Sequence, residues 1–349
     1  ELSWDLNSFE KELSRLDRLS WCKYPMIDAH VHIVDFNQET TWLKNLLHYM
    51  DKANIKASVI FWLPVVKIRE ESERERPWYY LDDDNACYYY WNTDVIVAKE
   101  YLNLPEKDRK RFFPLLCWFN ALDVNCVKHI EATFKAFPWV FYGIWEVFYR
   151  HDDLTHMTYG EVPRMNTKAT SRLLEFCTKY DLPLCIHNNI TAPGVSDYPK
   201  FLYEFEEALR EYPKARVILC HAWASRSLRA PYYTKMIERL LREYSGLYVD
   251  YSWVIFDEII AMSQVSMQEW GDLTENFSDR IMIWSDVLGN AFHEIWFVNS
   301  RFNAFLDKLS VKTREKICFK NAINVYSKSK NRVEENNARV YPKLASIKV

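Results

Sequence analysis

Eight short runs of apolar, β-branched and aromatic residues recur along this 349-residue chain, and segments with helical periodicity separate them. The runs are 25–32, 55–63, 111–118, 140–147, 183–187, 215–221, 247–252 and 281–286. The intervening helical segments include 42–53, 122–136, 168–180, 199–212, 233–244 and 293–309. The runs recur about every 36 residues, which is long enough for a strand–helix repeat. Eight such repeats predict an α/β fold of the (β/α)8, or TIM barrel, class.

The predicted barrel core covers about residues 24–327 of a single domain, 1–349, with helical extensions at both ends. The longest irregular segment, residues 64–91, follows the second predicted strand and contains a charged run and three consecutive aspartates. An insertion after a barrel strand lies on the face that carries the active site in this fold. A lid, an oligomer contact and a solvated mixed-charge helix remain open interpretations of this insertion.

Composition excludes several classes of function. Six glycines are too few for a glycine-rich phosphate loop, which argues against Rossmann and P-loop nucleotide sites. The net charge of −3, without a dense basic stripe, does not favour a nucleic-acid partner. No apolar run approaches the ~20 residues that a membrane span needs. A small-molecule substrate is the expected partner, and association into a homo-oligomer is left open.

Cysteine usage and the N-terminal residues bear on the compartment. Eight cysteines occur without a C-x-x-C pair, and several lie inside the apolar runs, which predicts buried thiols in a reducing environment. The first residues lack the basic segment and apolar run of a signal peptide. The prediction is therefore a cytoplasmic protein.

Histidine and aspartate stand at the ends of four of the apolar runs. His30 and His32 end the first run, His187 the fifth, His221 the sixth and Asp286 the eighth. The carboxyl ends of barrel strands meet on one face, so these side chains are expected to converge there. Imidazole and carboxylate groups together form a ligand set for a divalent metal. The pattern therefore predicts a metalloenzyme.

This pattern resembles the amidohydrolase superfamily, most closely its amidohydrolase-related (amidohydrolase 2) branch. The landmarks that carry the resemblance are His30-x-His32, His187, His221, Asp286 and the closing segment Asn321-Ala322-x-x-x-Tyr326. The resemblance spans roughly residues 24–327 and implies a metal-dependent enzyme whose ligands or catalytic groups lie at these strand ends.

Glu146, inside the fourth apolar run, bears on the number of metal ions. A buried glutamate is costly without a partner. Glu146 resembles the strand-4 glutamate with which the metal-dependent deoxyribonuclease branch bridges two cations. One cation would then be held by His30, His32 and Asp286, and the other by His187 and His221. In the alternative, mononuclear arrangement, one cation is held by His30, His32, His187 and Asp286.

The expected chemistry follows from these groups. A divalent cation lowers the pKa of bound water, and Asp286 is then a base within reach of the resulting hydroxide nucleophile. The function predicted is a metal-dependent hydrolase that uses metal-bound hydroxide on a carbonyl (amide, lactone or ester) or phosphoester bond of a small substrate. The alternative is a mononuclear decarboxylase of an aromatic or unsaturated acid, in which His221 is a free catalytic group. A third interpretation is a non-catalytic barrel. Zinc suits the histidines best, and manganese and iron also fit, as one ion or two.

Four residues near the predicted strand ends are candidates for binding substrate. Arg226 follows the sixth strand, where its guanidinium fork could hold a carboxylate or phosphate, and Arg150 follows the fourth strand. Asn188 directly follows His187, and His151 lies just beyond the fourth strand. Surface salt bridging and core packing are the competing interpretations. Asp28, two residues before His30, is a candidate hydrogen-bond partner of the ligands.

Overall fold

The computed structural model of the chain describes residues 22–67, 85–90, 92–151, 154, 158–192, 197–225, 228 and 232–326. Its strands are β1 (Met26–His32), β2 (Ile55–Phe61), β3 (Val65–Lys67), β4 (Cys87–Tyr89), β5 (Phe112–Pro114), β6 (Ile144–Phe148), β7 (Leu184–His187), β8 (Val217–Leu219), β9 (Leu247–Tyr251) and β10 (Ile281–Ile283). Its α-helices are α1 (Trp42–Lys52), α2 (Thr93–Asn103), α3 (Glu106–Arg109), α4 (Cys126–Ala136), α5 (Lys168–Tyr180), α6 (Leu202–Glu211), α7 (Tyr233–Glu243), α8 (Gln264–Asn276), α9 (Ile295–Ser300), α10 (Asn303–Leu306) and α11 (Val311–Glu315).

Eight parallel strands form the barrel. Two sheets, in the orders β1-β2-β5 and β6-β7-β8-β9-β10, contain them. The sheets meet at two seams, where Leu116 pairs with Ile144 and Val31 pairs with Val287. At the second seam the Asp286 amide donates to the His30 carbonyl over 2.9 Å. The predicted (β/α)8 barrel is therefore confirmed.

Side-chain alternation along the strands builds two apolar layers. On β2, Ala57, Val59 and Phe61 pack in the barrel interior, whereas Ile60 packs outward in the layer shared with the helices. The helices cover the barrel with their apolar faces, as α7 does by burying residues at three- and four-residue spacing. The N-terminal ends of the strands are closed by residues after α11. Asn321 donates its amide to the carbonyl oxygen of Ile281 over 2.7 Å.

Several elements differ from the sequence prediction in their limits. The predicted strands 111–118, 215–221 and 281–286 are shorter in the structure, and a 3-10 turn, Cys220–Trp223, takes over where β8 ends. The strand predicted over 140–147 begins only at Ile144, and the helix predicted over 293–309 is divided into α9 and α10. The insertion contains an antiparallel pair, β3 and β4, and its residues 68–84 and 91 lie outside the described residues. The predicted N-terminal helical extension up to residue 21 and everything beyond residue 326 also lie outside them. All eight cysteines are buried as thiols, as predicted.

In the part of the chain that the structure describes, no helix combines the length and the apolar character that crossing a membrane requires.

Gly289 allows the close approach of the segment after β10 to the end of β1. A Cβ atom built on Gly289 would lie 1.8 Å from the Ile33 carbonyl oxygen. We expect Gly289→Ala to lower the free energy of unfolding by about 1–3 kcal/mol or more, because backbone atoms must move to relieve the overlap. Urea denaturation measures this change.

Gly271, inside α8, is the matched control for Gly289. Its added Cβ would meet only Leu309 Cδ2, at 3.9 Å. Gly271→Ala should leave stability unchanged or raise it by up to about 1 kcal/mol, since alanine favours a helix interior. Equal effects of the two substitutions would contradict the steric argument.

Candidate metal centre

Two β-bulges place candidate ligands at the carboxyl end of the barrel. On β1, Ala29 and His30 together oppose a single residue of β2. On β6, Trp145 and Glu146 together oppose a single residue of β7. An extra residue of this kind bends a strand and changes the direction of its side chains. Ala29 and Trp145 therefore stay in the barrel's inner core, while His30 and Glu146 reach the site.

Four ligand atoms converge around one point, here called the first position. His30 Nε2 lies 3.3 Å from His32 Nε2 and 3.1 Å from Asp286 Oδ1. His32 Nε2 lies 3.1 Å from that Asp286 oxygen and 3.0 Å from Glu146 Oε2. Ligands about 2.0–2.1 Å from a tetrahedral zinc ion are separated by about 3.3 Å. These four atoms therefore have the spacing of a single cation site.

Three further ligand atoms form a second position on the other side of Glu146. Glu146 Oε1 lies 3.2 Å from His187 Nδ1 and 3.5 Å from His221 Nε2. His221 Nε2 is also 3.8 Å from Asp286 Oδ2. The two oxygens of Glu146 thus face two different histidine pairs. Such a carboxylate has the geometry of a bridge between two cations.

The backbone is left-handed at three of the six candidate ligands. The φ angles are 31° at Glu146, 56° at His221 and 61° at Asp286. Non-glycine residues seldom adopt positive φ, and each instance costs on the order of 1–3 kcal/mol. Strained backbone of this kind concentrates at functional sites, which supports a chemical role for this end of the barrel.

Three of the four histidines donate or accept a hydrogen bond through the ring nitrogen that faces away from the cluster. His30 Nδ1 is 3.1 Å from Asp250 Oδ2, and His221 Nδ1 is 2.8 Å from Ser252 Oγ. His187 Nε2 is 3.3 Å from Asn189 Oδ1. Such bonds fix the tautomer and the ring orientation of a metal ligand.

Asp250 is the functional-site residue that the sequence reasoning missed, since Asp28 was the expected partner. Asp28 instead accepts the backbone amides of His30 and Ser285, over 3.3 and 3.0 Å, and the side-chain amide of Asn299. It therefore ties β1 to the end of β10. The available signal for Asp250 is an acidic residue within the apolar run 247–252, the same signal that identified Glu146.

In the cluster, the carboxylates raise the pKa of His30 and the histidines lower the pKa of Glu146. Burial lowers the pKa of His30, but the Asp286 charge and the hydrogen bond to Asp250 leave it well above its usual value. Burial raises the pKa of Glu146, yet the His32 charge and the hydrogen bond to His187 hold it well below its usual range. Burial lowers the pKa of the His221 ring, which favours its neutral form. A cation binding here would replace protons on the histidines.

The residues present fit a divalent metal. Glu146 Oε2 is buried and has no hydrogen-bond partner among the described residues, although His32 Nε2 is 3.0 Å away. Those two atoms therefore approach each other as two potential ligands rather than as a donor and an acceptor. The mixture of imidazole nitrogens and carboxylate oxygens suits zinc, manganese or iron.

A cavity of about 80 Å³ adjoins the candidate ligands. Its walls include Phe36, Phe148, Trp253 and Leu288, together with His151. His151 stacks on the ring of the ligand candidate His187, with centroids 4.1 Å apart and planes inclined by 14°. Of the three described residues that were predicted to bind substrate, His151 is the one that lines this cavity.

Two of the other predicted substrate residues, Arg150 and Asn188, do not line the cavity. Arg150 binds Glu204 through Nε and Nη2, over 3.0 and 2.6 Å, so its guanidinium fork is already occupied. Asn188 is buried, and neither polar atom of its side chain has a partner among the described residues. Arg226 lies outside the described residues. The geometry of Arg150 does not support a role in substrate binding.

No protein-family model matches the sequence, and no curated protein matches it significantly. Solved structures, however, resemble the fold. A 2,6-dihydroxybenzoate decarboxylase from Rhizobium has 15% identity and a TM-score of 0.55, covering 87% of this chain and 98% of that chain. A zinc-bound amidohydrolase from Burkholderia multivorans has 12% identity and a TM-score of 0.54, covering 87% and 99%. A dihydroorotase from Campylobacter jejuni has 15% identity and a TM-score of 0.51, covering 87% and 83%.

These neighbours are amidohydrolase-superfamily proteins, so the resemblance predicted from the strand-end residues is confirmed at the level of the fold.

Proposed function

We propose that this chain is a metal-dependent hydrolase that attacks a carbonyl (amide, lactone or ester) or phosphoester bond of a small substrate. The observation that carries the proposal is the orientation of Glu146, whose Oε2 faces His32 and whose Oε1 faces His187. A bridging carboxylate between two cations is the arrangement that suits hydrolysis. Similarity of fold to amidohydrolases supports the same class of enzyme, although fold alone does not determine chemistry.

The side chains of the site have separate tasks in this proposal. A divalent cation, when bound, supplies a Lewis acid and lowers the pKa of water. Asp286, whose side chain is 10% exposed and lines the cavity, accepts the proton of the attacking water. His221, whose pKa is lowered by burial, lies 3.8 Å from Asp286 and completes the second position. Phe148 and Trp253 flank the cavity and exclude bulk water.

The rival function is decarboxylation of an aromatic acid at a single cation. The fold similarity to the Rhizobium decarboxylase favours it. It requires His221 to be free for catalysis and Glu146 to be unnecessary for metal binding. The number of cations that Glu146 holds therefore separates the two functions.

Elemental analysis of protein purified without chelator measures that number. We expect two divalent cations per chain in the unmodified protein and about one in Glu146→Gln. The glutamine amide has a single oxygen and no negative charge, so it cannot bridge two cations as the carboxylate would. Glu175→Gln, an exposed position on α5, is the matched control and should retain both cations.

The reaction is then tested with p-nitrophenyl acetate, a lactone and a p-nitrophenyl phosphoester, and separately with 2,6-dihydroxybenzoate for release of carbon dioxide. One cation that persists in Glu146→Gln, together with carbon dioxide release, would establish the decarboxylase. Absence of bound metal and of all these activities would support a non-catalytic barrel.

A further inference from the structure

A second, smaller cavity lies beside the one at the candidate ligands. The first cavity has a volume of about 80 Å³ and the second a volume of about 20 Å³. Phe148 and His151, here called the partition, line both cavities and therefore stand between them. The other walls of the second cavity include Val65, Tyr89, Leu154 and Pro163.

The insertion after the second barrel strand forms part of the wall of the second cavity. Val65 on β3 pairs with Tyr89 on β4, and both residues line this cavity. The segment after β6 is joined to β4, because Cys87 pairs with Thr158 and its carbonyl oxygen accepts the Tyr159 amide over 2.9 Å. The second cavity therefore lies between the insertion and the barrel, whereas the first lies against the candidate ligands.

The partition is held in place on several sides. The side chain of His151 is buried and stacks on the His187 ring, with centroids 4.1 Å apart. It also meets the Phe148 ring edge-on, with centroids 5.8 Å apart. The preceding backbone is fixed to the end of β7, since the Asn189 amide donates to the Arg150 carbonyl over 2.7 Å. Side chains packed on this many sides have little room to move, so the partition is a fixed wall rather than a lid.

The volume of the first cavity restricts the group that can lie against the candidate ligands. Sites for drug-sized ligands enclose about 300–1,000 Å³. A cavity of about 80 Å³ is far smaller, so it accommodates a small group such as acetyl. A longer chain on the same group would meet the partition.

We propose that the partition restricts the reacting end of the substrate to a short acyl group, and that the second cavity is a latent site for a longer, uncharged alkyl chain. The inference rests on the proposed hydrolase function and specifies its substrate. The wall of the second cavity is mostly apolar, and its Thr158 hydroxyl already donates to the Leu154 carbonyl over 2.8 Å. The carboxylate of Glu161, which also lines this cavity, disfavours a chain that ends in a carboxylate.

Binding of alkyl hydroxamates to the zinc-loaded full-length protein tests the proposal, because the hydroxamate group binds zinc and places its alkyl chain in the cavity. Calorimetry gives the dissociation constants of acetohydroxamate and hexanohydroxamate. In the unmodified protein we expect acetohydroxamate to bind at least as tightly as the longer compound. Each methylene that becomes buried should strengthen binding about 4-fold. In His151→Ala, hexanohydroxamate should therefore gain at least about 10-fold in affinity relative to acetohydroxamate.

Two further substitutions show which cavity the longer chain enters. In His151→Ala/Val65→Ile, the added methylene narrows the second cavity, and the gain should fall about 4-fold. Leu288→Ala is the matched control, because Leu288 lines the first cavity but not the second. Any gain in Leu288→Ala should be insensitive to Val65→Ile.

An unchanged ratio of the two dissociation constants in folded, zinc-loaded His151→Ala would overturn the proposal and leave the hydrolase function standing. A gain that Val65→Ile does not reduce would overturn the assignment to the second cavity. Thermal unfolding and elemental analysis show whether each variant folds and holds zinc. If His151→Ala does not, Phe148→Ala removes the other half of the partition and decides by the same ratio.

The p-nitrophenyl esters of acetic and hexanoic acid separate this inference from the proposed function. Their kcat/KM ratio should change in the variants in the same direction as the hydroxamate affinities. Absence of hydrolysis of both esters, with hydroxamate binding intact, would contradict the hydrolase function but not the steric role of the partition. An unmodified protein that binds no zinc would overturn both.

Discussion

Asp286→Asn should lower kcat by about 10²–10⁴-fold while the barrel remains folded, because the amide cannot accept a proton from the attacking water. Asparagine has almost the same shape as aspartate and is among the residues that tolerate the left-handed backbone, with φ of 61°, found at this position. The backbone amide of residue 286 still donates to the His30 carbonyl, so the seam between β10 and β1 is kept.

The measurement must separate loss of the base from loss of metal. We would determine kcat per bound cation, with elemental analysis of the same sample, on the ester, lactone or phosphoester that the unmodified protein hydrolyses. Asp279→Asn makes the same chemical change at an exposed position before β10, where the partner is Lys316, and should leave kcat unchanged. Near-normal turnover per cation in Asp286→Asn would falsify the role of Asp286 as the base.

Arg150→Met should lower the free energy of unfolding by about 3–5 kcal/mol, because it leaves the Glu204 carboxylate buried without a positively charged partner. The Glu204 side chain is completely buried, and Arg150 binds it through two nitrogens while stacking 3.5 Å above the centre of the Phe201 ring. The double variant Arg150→Met/Glu204→Leu should recover most of that loss, since apolar replacement of a buried pair is often neutral. Urea denaturation at neutral pH measures both.

An exposed ion pair provides the comparison. Arg242 binds Glu238 one helical turn away on α7, with side chains 63% and 37% exposed. Arg242→Met should cost no more than about 0.5 kcal/mol, since exposed pairs of this spacing contribute little. Similar losses in Arg150→Met and Arg242→Met would contradict the importance of burial.

The pairing of Arg150 with Glu204 also explains why the sequence alone suggested a different role for Arg150. An arginine just after a barrel strand resembles a substrate-binding group when its partner is unknown. Its partner Glu204 lies 54 residues later, in the first turn of α6. Nothing local in the sequence indicates that long-range pairing.

The barrel and the candidate ligands could be predicted from the sequence. Apolar runs at regular spacing specify buried parallel strands, and polar residues at their carboxyl ends have few places to go except the common face. His187 and Asp286 were therefore predictable as neighbours in space although they are far apart in the chain. The role of Asp250 required knowledge of which ring nitrogen of His30 faces it, which only the three-dimensional structure provides.

The ends of the strands were harder to predict from the sequence, because the residues remain apolar beyond the last one that pairs with a neighbouring strand. The run 215–221 remains apolar through Cys220, but the backbone turns left-handed at His221, Ala222 and Trp223. None of these residues is a glycine, so the usual sequence signal for positive φ is missing. The turn is therefore a property of the folded barrel rather than of this segment.

Because of the bulges on β1 and β6, deletion of a single residue can change the candidate site without disrupting the barrel. Each bulge contributes one residue more than the neighbouring strand needs for pairing. Deletion of one of the two bulge residues restores regular pairing and preserves the apolar layers on both sides of the strand, but it leaves one inward side chain where the structure has two, so that deletion of His30 or Glu146 removes a candidate ligand. A barrel that lacks His30 or Glu146 through such a deletion would thus keep its fold and lose a ligand of the candidate metal centre. Single-residue insertions and deletions, more than substitutions, are the changes by which such a barrel would gain or lose its chemistry in evolution.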